Sequence, residues 1–261
     1  MLLNAIIIVL RETLEAGVLI SVLLSVARHQ QLARGAVVQG LLLGVAGAMI
    51  YAVNLQTVSE WFDYAGQEVI NAAMQYLIYA CLLLVCLSIG RAPLLPGLAL
   101  QRLLRLVVML AVIREGAEIL LFYSSYWHRS DVLLRVLTSG FMGLMIGFSV
   151  GALCYYTLIN LPLMWAGRVQ RVVLTFMAAG MVAQATQLLL QVDWLPGGAP
   201  LWDMSAWLPE SSLLGELAYA TLGYEAAPTP VEVGLYVGAL LLIPVAYAIA
   251  RKWRTGNLLH D

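Results

Sequence analysis

Arg11-Glu12-Thr13-Leu14-Glu15 places three charges inside a run, Met1 to Ala27, that is otherwise uncharged, and the next charge is Arg28. About 20 apolar residues suffice to cross a bilayer. At roughly 1.5 Å per residue the charges fall near the middle of that crossing. Each costs on the order of 2.5–3.5 kcal/mol at that depth. The pattern recurs as Arg114-Glu115-Gly116-Ala117-Glu118.

Composition agrees with a membrane setting. Hydrophobic residues make up 62% of the 261 residues and charged ones 11%, against about 25% charged in a soluble domain. Mean hydropathy is +0.87. No positively charged stretch precedes the first apolar run, so a membrane helix is expected there rather than a cleavable signal peptide. Cys81, Cys86 and Cys154 lie in apolar stretches with no CxxC pair and read as inert thiols.

Seven apolar segments are expected to be helices, at about 2–27, 35–57, 67–89, 103–126, 135–160, 170–191 and 231–250. Seven crossings put Arg28, Arg34, Arg91, Arg102, Arg105, Arg168, Arg171, Arg251, Lys252 and Arg254 on one side, and only Arg129 and Arg135 on the other. The positive-inside rule then sets the N-terminus outside and the C-terminus in the cytoplasm. An external loop, about 192–230, carries Asp193, Asp203, Glu210, Glu216 and Glu225 without Lys or Arg. Trp194, Trp202 and Trp207 suit it to a cap at the membrane interface. Its charge either is simply solvated or gathers cations.

The two charged motifs stand 103 residues apart, and the same offset lays Gly40 and Gly44 on Gly143 and Gly147. Each pair has the GxxxG spacing that lets membrane helices approach closely. The register drifts by the third helix of each half. Corresponding elements are separated by three helices, an odd number, so the halves run in opposite directions. The expected fold is an all-α integral membrane protein with a 3+3 inverted repeat, about 1–90 and 103–191, plus a seventh helix at about 231–250. Substrate sites in such proteins lie near the midplane between the repeats, where both motifs arrive.

On a helix Glu12 and Glu15 share a face and Arg11 reaches Glu15; Glu115, Glu118 and Arg114 repeat the arrangement. Six lone charges would cost roughly 15–20 kcal/mol, more than most proteins' whole stability. They must be paired or line a wet cavity. Carboxylates suit hard cations, such as ferric iron or Mg, Ca and Mn. The histidines (His29, His128, His260) fall in expected loops or the tail, which disfavours a His-rich site. Glu68 and Gln75 in the third helix, Gln184 and Gln187 in the sixth, and Asp203 in the loop are secondary candidates. Three readings stay open on the residues alone: cation passage, a proton relay through the glutamates, and charge staples in a non-transporting scaffold. The chain has no GxxxxGK[ST], no HExxH and no ExxH di-iron pairing, and Lys252 is its only lysine. ATP hydrolysis, zincin-type proteolysis and di-iron oxidation therefore lack their parts, and no enzyme or nucleic-acid role is expected.

Two intramembrane RExxE motifs in a seven-helix chain resemble the oxidase-dependent high-affinity iron permease family, fungal and bacterial Efe-type. Leu190-Gln191-Val192-Asp193-Trp194-Leu195-Pro196, Trp202-Asp203-Met204-Ser205 and Leu222-Gly223-Tyr224 are similar to its later segments. The resemblance implies iron import across the cytoplasmic membrane, in a bacterial inner membrane given the short loops, with iron as substrate and no permanently bound cofactor. Glu12, Glu15, Glu115 and Glu118 would handle the metal, with Arg11 and Arg114 as charge partners. It also implies a separate periplasmic or extracellular partner of oxidase, cupredoxin or peroxidase type. The first motif departs from the family pattern at Thr13, where Gly116 keeps the usual glycine. A hydroxyl there either narrows the pathway or adds a ligand.

Overall fold

The computed structural model describes residues 2–33, 35–89 and 94–257, which form ten helices: α1 (Leu2–His29), α2 (Gly35–Val53), α3 (Leu55–Ser59), α4 (Trp61–Tyr64), α5 (Gly66–Ser88), α6 (Gly97–Ser124), α7 (Ser130–Ile159), α8 (Leu163–Gln191), α9 (Leu213–Leu222) and α10 (Pro230–Asn257). There is no strand among the described residues. The helices α1, α2, α5, α6, α7, α8 and α10 each have 19 residues or more and coincide with the seven apolar segments. Five of them, α2, α5, α7, α8 and α10, are long and apolar enough to cross a membrane. The other two, α1 and α6, are the helices that carry the charged motifs.

Several boundaries move from their expected places, for local reasons. Helix α6 starts at Gly97 and α8 at Leu163, each after a proline at the N-cap. The basic residues Arg102, Arg105 and Arg168 end the apolar run there but not the helix. Helix α2 stops at Val53, and Phe62, Asp63 and Tyr64 turn through left-handed backbone (φ 53°, 60° and 70°) before α5. Helix α10 opens on a capping box in which Glu232 Oε2 accepts from the Thr229 N–H at 2.6 Å and hydroxyl at 2.7 Å, with Pro230 in the first turn.

Packing is set by small residues. Helix α7 lies parallel to α1, with Gly143 against Ile6 and Leu10, Gly147 against Thr13, and Gly151 against Gly17. Helix α2 lies parallel to α6 in the same manner, with Gly44 against Met109 and Val112, and Ala48 against Gly116. Ser21 adds a hydrogen bond across the α1–α7 seam to the Gly151 carbonyl at 2.7 Å. Helices α5 and α8 run antiparallel, bonded through Gln75–Gln184 and Tyr76–Thr186.

These contacts shift one expected correspondence. Met109 and Val112 precede Arg114 by five and two residues, while Ile6 and Leu10 precede Arg11 by five and one. Gly44 therefore occupies the place of Gly143, and Ala48 that of Gly147, one helical turn from the offset of 103. Glycines recurring every turn along one stripe match equally well after a one-turn slip.

One end of the bundle gathers the C-terminal ends of α1 and α5 with the N-terminal ends of α6 and α8. Gly97 lies near Leu32, Arg171 donates to the Cys86 and Ile89 carbonyls, and Gln170 bonds Ser25 and His29. Arg28, Arg102, Arg105 and Arg168 fall in this same end; Arg34, Arg91 and His260 lie outside the described residues. That half is a continuous apolar core of Val18, Val22, Ile78, Leu82, Val85, Leu104, Val107, Leu174 and Met177 with their neighbours. The outer faces of α2, α7 and α10 expose Leu42, Ile50, Phe141, Phe148 and Leu241, an apolar belt suited to lipid.

The segment expected as an external loop is only partly a cap. Trp194, Trp202 and Trp207 are exposed as expected of an interface, but α9 turns inward against α1 and α8. Ser212 caps its start by accepting from the Gly215 N–H at 3.0 Å, and Gly223, at φ 67°, ends it in the left-handed region. Gly223 packs on Gly180, where a Cβ has no room on either side. Gly180 is eleven residues before the end of α8, so α9 reaches about 16 Å below that end.

Candidate metal centre

Helices α1 and α6 bring the two motifs together. Glu12, Glu15, Arg114 and Glu115 are buried, at 5%, 4%, 6% and 3% exposure. Glu12, Glu115 and Glu118 each offer a carboxylate oxygen within 4.8 Å of the others. Oxygens bound at about 2.1 Å to one ion stand at most about 4.2 Å apart. Three spread evenly about one ion stand about 3.6 Å apart, so the cluster closes on a cation with shifts of at most about 0.7 Å per oxygen. Glu12 Oε2 and Glu115 Oε2 are buried without a hydrogen-bond partner, a costly state that a bound cation or proton removes.

Arg114 holds the cluster from its basic side. Its Nη1 donates to Glu15 Oε2 at 3.2 Å and to Glu115 Oε1, and its Nε stands 3.6 Å from Glu118 Oε1. Arg11 Nε lies 3.4 Å from Glu15 Oε1 and 3.7 Å from Glu216 Oε2, with its guanidinium 4.1 Å from the Tyr219 ring centre. Glu216 and Tyr219 come from α9; Glu216 is expected from the sequence only as one of the acidic residues of the external loop, and Tyr219 carries no expectation. The Ser212 cap and Gly223 stop around a ten-residue apolar stretch are the signal that marks that helix.

Of the secondary candidates, four join the site. Gln184 Nε2 donates to Glu15 Oε2 at 3.3 Å, and Gln75 Nε2 donates to Gln184 Oε1 at 2.6 Å. Glu68 lines a cavity of about 350 Å³ with Gln67, Asn71, Glu118 and Gln191. Gln187 lines another of about 280 Å³ with Arg11, Arg114, Glu118, Glu210 and Tyr219. Glu118, whose side chain is 34% exposed, borders both. Asp203 stays apart: it is exposed, and its Oδ1 accepts from the Ser205 N–H at 2.9 Å, which holds its carboxyl below the usual range. Gln187 also donates to Glu225 at 3.0 Å, and burial together with Glu232 and Glu210 pushes the Glu225 carboxyl up to about 7.

Thr13 neither adds a ligand nor faces the cluster. Its hydroxyl donates to the Val9 carbonyl at 2.6 Å, and its Cβ and methyl face Gly147. His29, expected in a loop, is the last residue of α1 and meets Gln170 at 2.7 Å.

The sequence profile described as "Iron permease FTR1 family" matches residues 98–252, more than half of the chain. The chain belongs to the iron permease FTR1 family. It is thus an iron-transporting permease and a multi-pass protein of the bacterial inner membrane. It is 28% identical over 266 aligned residues to the ferrous iron permease EfeU of Shigella sonnei (strain Ss046) and to that of Escherichia coli O157:H7, covering 95% of each chain. It is 31% identical over 152 residues to EfeU of Shigella flexneri, covering 58% of this permease and 63% of that one. No solved structure matches it.

Proposed function

We propose that the permease imports iron through the Glu12–Glu115–Glu118 cluster, with seven crossings, the N-terminus outside, and two inverted halves meeting at the site. The observation that carries this is the cluster of Glu12, Glu115 and Glu118 carboxylates, two of which keep a buried oxygen without a hydrogen-bond partner. Glu118 borders the polar cavities, while the other half of the bundle is packed apolar core. Such an arrangement is open toward the acidic side and closed toward the basic one. Packing of α1 on α7 and α2 on α6, with α5 on α8, supports the two halves, because exchanging the halves leaves that set of contacts unchanged.

Opposite helix directions order the four carboxylates along the path. Helix α1 runs inward, so Glu15 lies about 4.5 Å deeper than Glu12; α6 runs outward, so Glu118 lies about 4.5 Å above Glu115. Iron enters at Glu118, is held among Glu12, Glu115 and Glu118, and passes Glu15 on its way inward. Arg11 and Arg114 offset part of the negative charge and keep the empty site folded. The relatives are named for ferrous iron, and we read ferrous iron as the ion that this site carries. A separate extracytoplasmic protein of oxidase, cupredoxin or peroxidase type serves as delivery partner, handing the ion to Glu118 in the ferrous state.

Radioactive iron uptake by cells expressing Glu12→Gln, Glu15→Gln, Glu115→Gln or Glu118→Gln tests the reading. Uptake is expected to fall to background in the three cluster variants and to drop in Glu15→Gln. Normal uptake in all four would sink it and leave the glutamates as proton carriers or staples.

A further inference from the structure

Among the described residues two polar bridges join α1 to α8, one of them belonging to the carboxylate cluster and one not. The first is Glu15–Gln184. The second lies at the basic end, where Gln170 Nε2 meets Ser25 Oγ at 2.6 Å and His29 Nδ1 at 2.7 Å. Ser25 and Gln170 are 0% and 1% exposed. Glu15, Val18, Val22, Ser25 and His29 follow one another at spacings of three and four, and so form a single stripe along α1. Between the bridges the seam is closed by Val18, Val22, Leu174, Met177 and Ala178. The stripe thus runs from the innermost carboxylate through an apolar plug to a hydroxyl, an amide and an imidazole.

We propose that the α1–α8 seam is the inward half of the ion path, and that Ser25, Gln170 and His29 form a station for a divalent transition-metal ion at its cytoplasmic mouth. This rests on the transport reading and orientation given above. Carboxylates alone accept magnesium and calcium as readily as iron, whereas imidazole favours transition metals. His29 therefore adds a discrimination that the carboxylate cluster lacks. Arg28, Arg168 and Arg171 neighbour the station in sequence, and their charge keeps its hold on a cation weak, as a release point requires. With the seam closed, Gln170 occupies His29 Nδ1; a cation arriving through an opened seam takes that nitrogen and the amide oxygen instead.

The test uses the full chain in inside-out membrane vesicles, with His128→Ala and His260→Ala leaving His29 as the single histidine. Acylation of His29 by diethylpyrocarbonate is read by mass spectrometry with cobalt(II), with magnesium(II), or without added metal. Cobalt is expected to slow acylation several-fold and magnesium to leave it unchanged. Gln170→Glu, which keeps an oxygen ligand and adds charge, should strengthen the cobalt effect, whereas a mere interhelical staple, which a carboxylate accepting from the Ser25 hydroxyl and the His29 N–H preserves, would leave acylation indifferent to cobalt. Iron uptake by His29→Ala should fall about 10-fold, a scale typical of losing one group at a metal site. Acylation indifferent to cobalt, in a chain that still imports iron, overturns the station and leaves the permease reading intact. Loss of the permease reading shows separately, as absent uptake by the parent chain.

Discussion

Replacing Arg114 by Met tests whether one buried guanidinium holds the centre together. Arg114 is 6% exposed and faces Glu15 at 3.2 Å, Glu115, and Glu118 at 3.6 Å. Removing one partner of a buried pair costs about 3–5 kcal/mol, because the remaining charge is left uncompensated. For a chain of this size each kcal/mol moves the melting temperature by about 2–4 °C, so a fall of roughly 6–20 °C is expected. Arg11→Met supplies the contrast. Its side chain is 36% exposed and its ion pairs are longer, at 3.4 and 3.7 Å, so a loss of at most about 1 kcal/mol follows. The double variant Arg114→Met with Glu115→Gln removes both members of one pair, and should recover about 0.5–3 kcal/mol of the single-variant loss. Thermal unfolding of the purified permease in nanodiscs measures all three. The reasoning fails if Arg114→Met unfolds no earlier than Arg11→Met, or if the double variant shows the plain sum of its two singles.

Two further outcomes follow from other parts of the molecule. A Cβ at Gly147 would meet Thr13 Cβ and Cγ2 at 2.8 Å, so Gly147→Ala should destabilise by about 1–3 kcal/mol; adding Thr13→Gly should restore melting, since it recreates the Gly116–Ala48 pairing, and a neutral Gly147→Ala would refute the close seam. Glu225, raised to about 7 by burial and its acidic neighbours, binds its proton more tightly folded than unfolded. Stability from this group is full below about pH 4.3, the unfolded value, and is lost as pH rises through about 7. Melting temperatures at pH 5 and 7.5 should therefore differ less in Glu225→Gln than in the parent, and equal differences would contradict the shift.

What the sequence could and could not disclose divides along physical lines. The seven long helices were legible because five carry apolar runs long enough to cross a membrane and the other two, α1 and α6, are apolar on either side of one charged motif; the candidate site was legible because buried charge is too costly to be incidental. Helix α9 was not, since ten residues fall far short of a crossing and its depth depends on Gly223 meeting Gly180. Nor was the glycine register, because stripes of small residues look the same after a slip of one turn. Gln75, Gln184, Gln187 and Glu68 converge while Asp203 does not, and nothing in their residue types separates them: Asp203 is held by its own turn with Ser205. The same limit applies to Thr13. Its departure from the second motif raised the question of a ligand, but the answer lay in which face of α1 meets α7.

The arginines explain why this site can be both stable and attractive to a cation. Four glutamates and two arginines carry a formal charge of −2, and Glu216, which shares Arg11, deepens it. Full neutralisation by more arginines would satisfy every carboxylate and leave no pull on iron. No arginine at all would leave three buried anions beside the partly exposed Glu118, a cost beyond what the fold can sustain. Arg114 sits between these limits: it engages Glu15 and Glu115 Oε1 yet leaves Glu12 Oε2 and Glu115 Oε2 without a partner. Glu12 and Glu115 cluster with Glu118, the carboxylate that borders the cavities. The unsatisfied part of the charge thus lies where an ion can arrive, and the satisfied part, Glu15, lies against the α1–α8 seam. On the proposed path, a cation drawn in by the first would displace Arg114 or Gln184 from the second to go further, and its passage would be coupled to movement of α6 and α8.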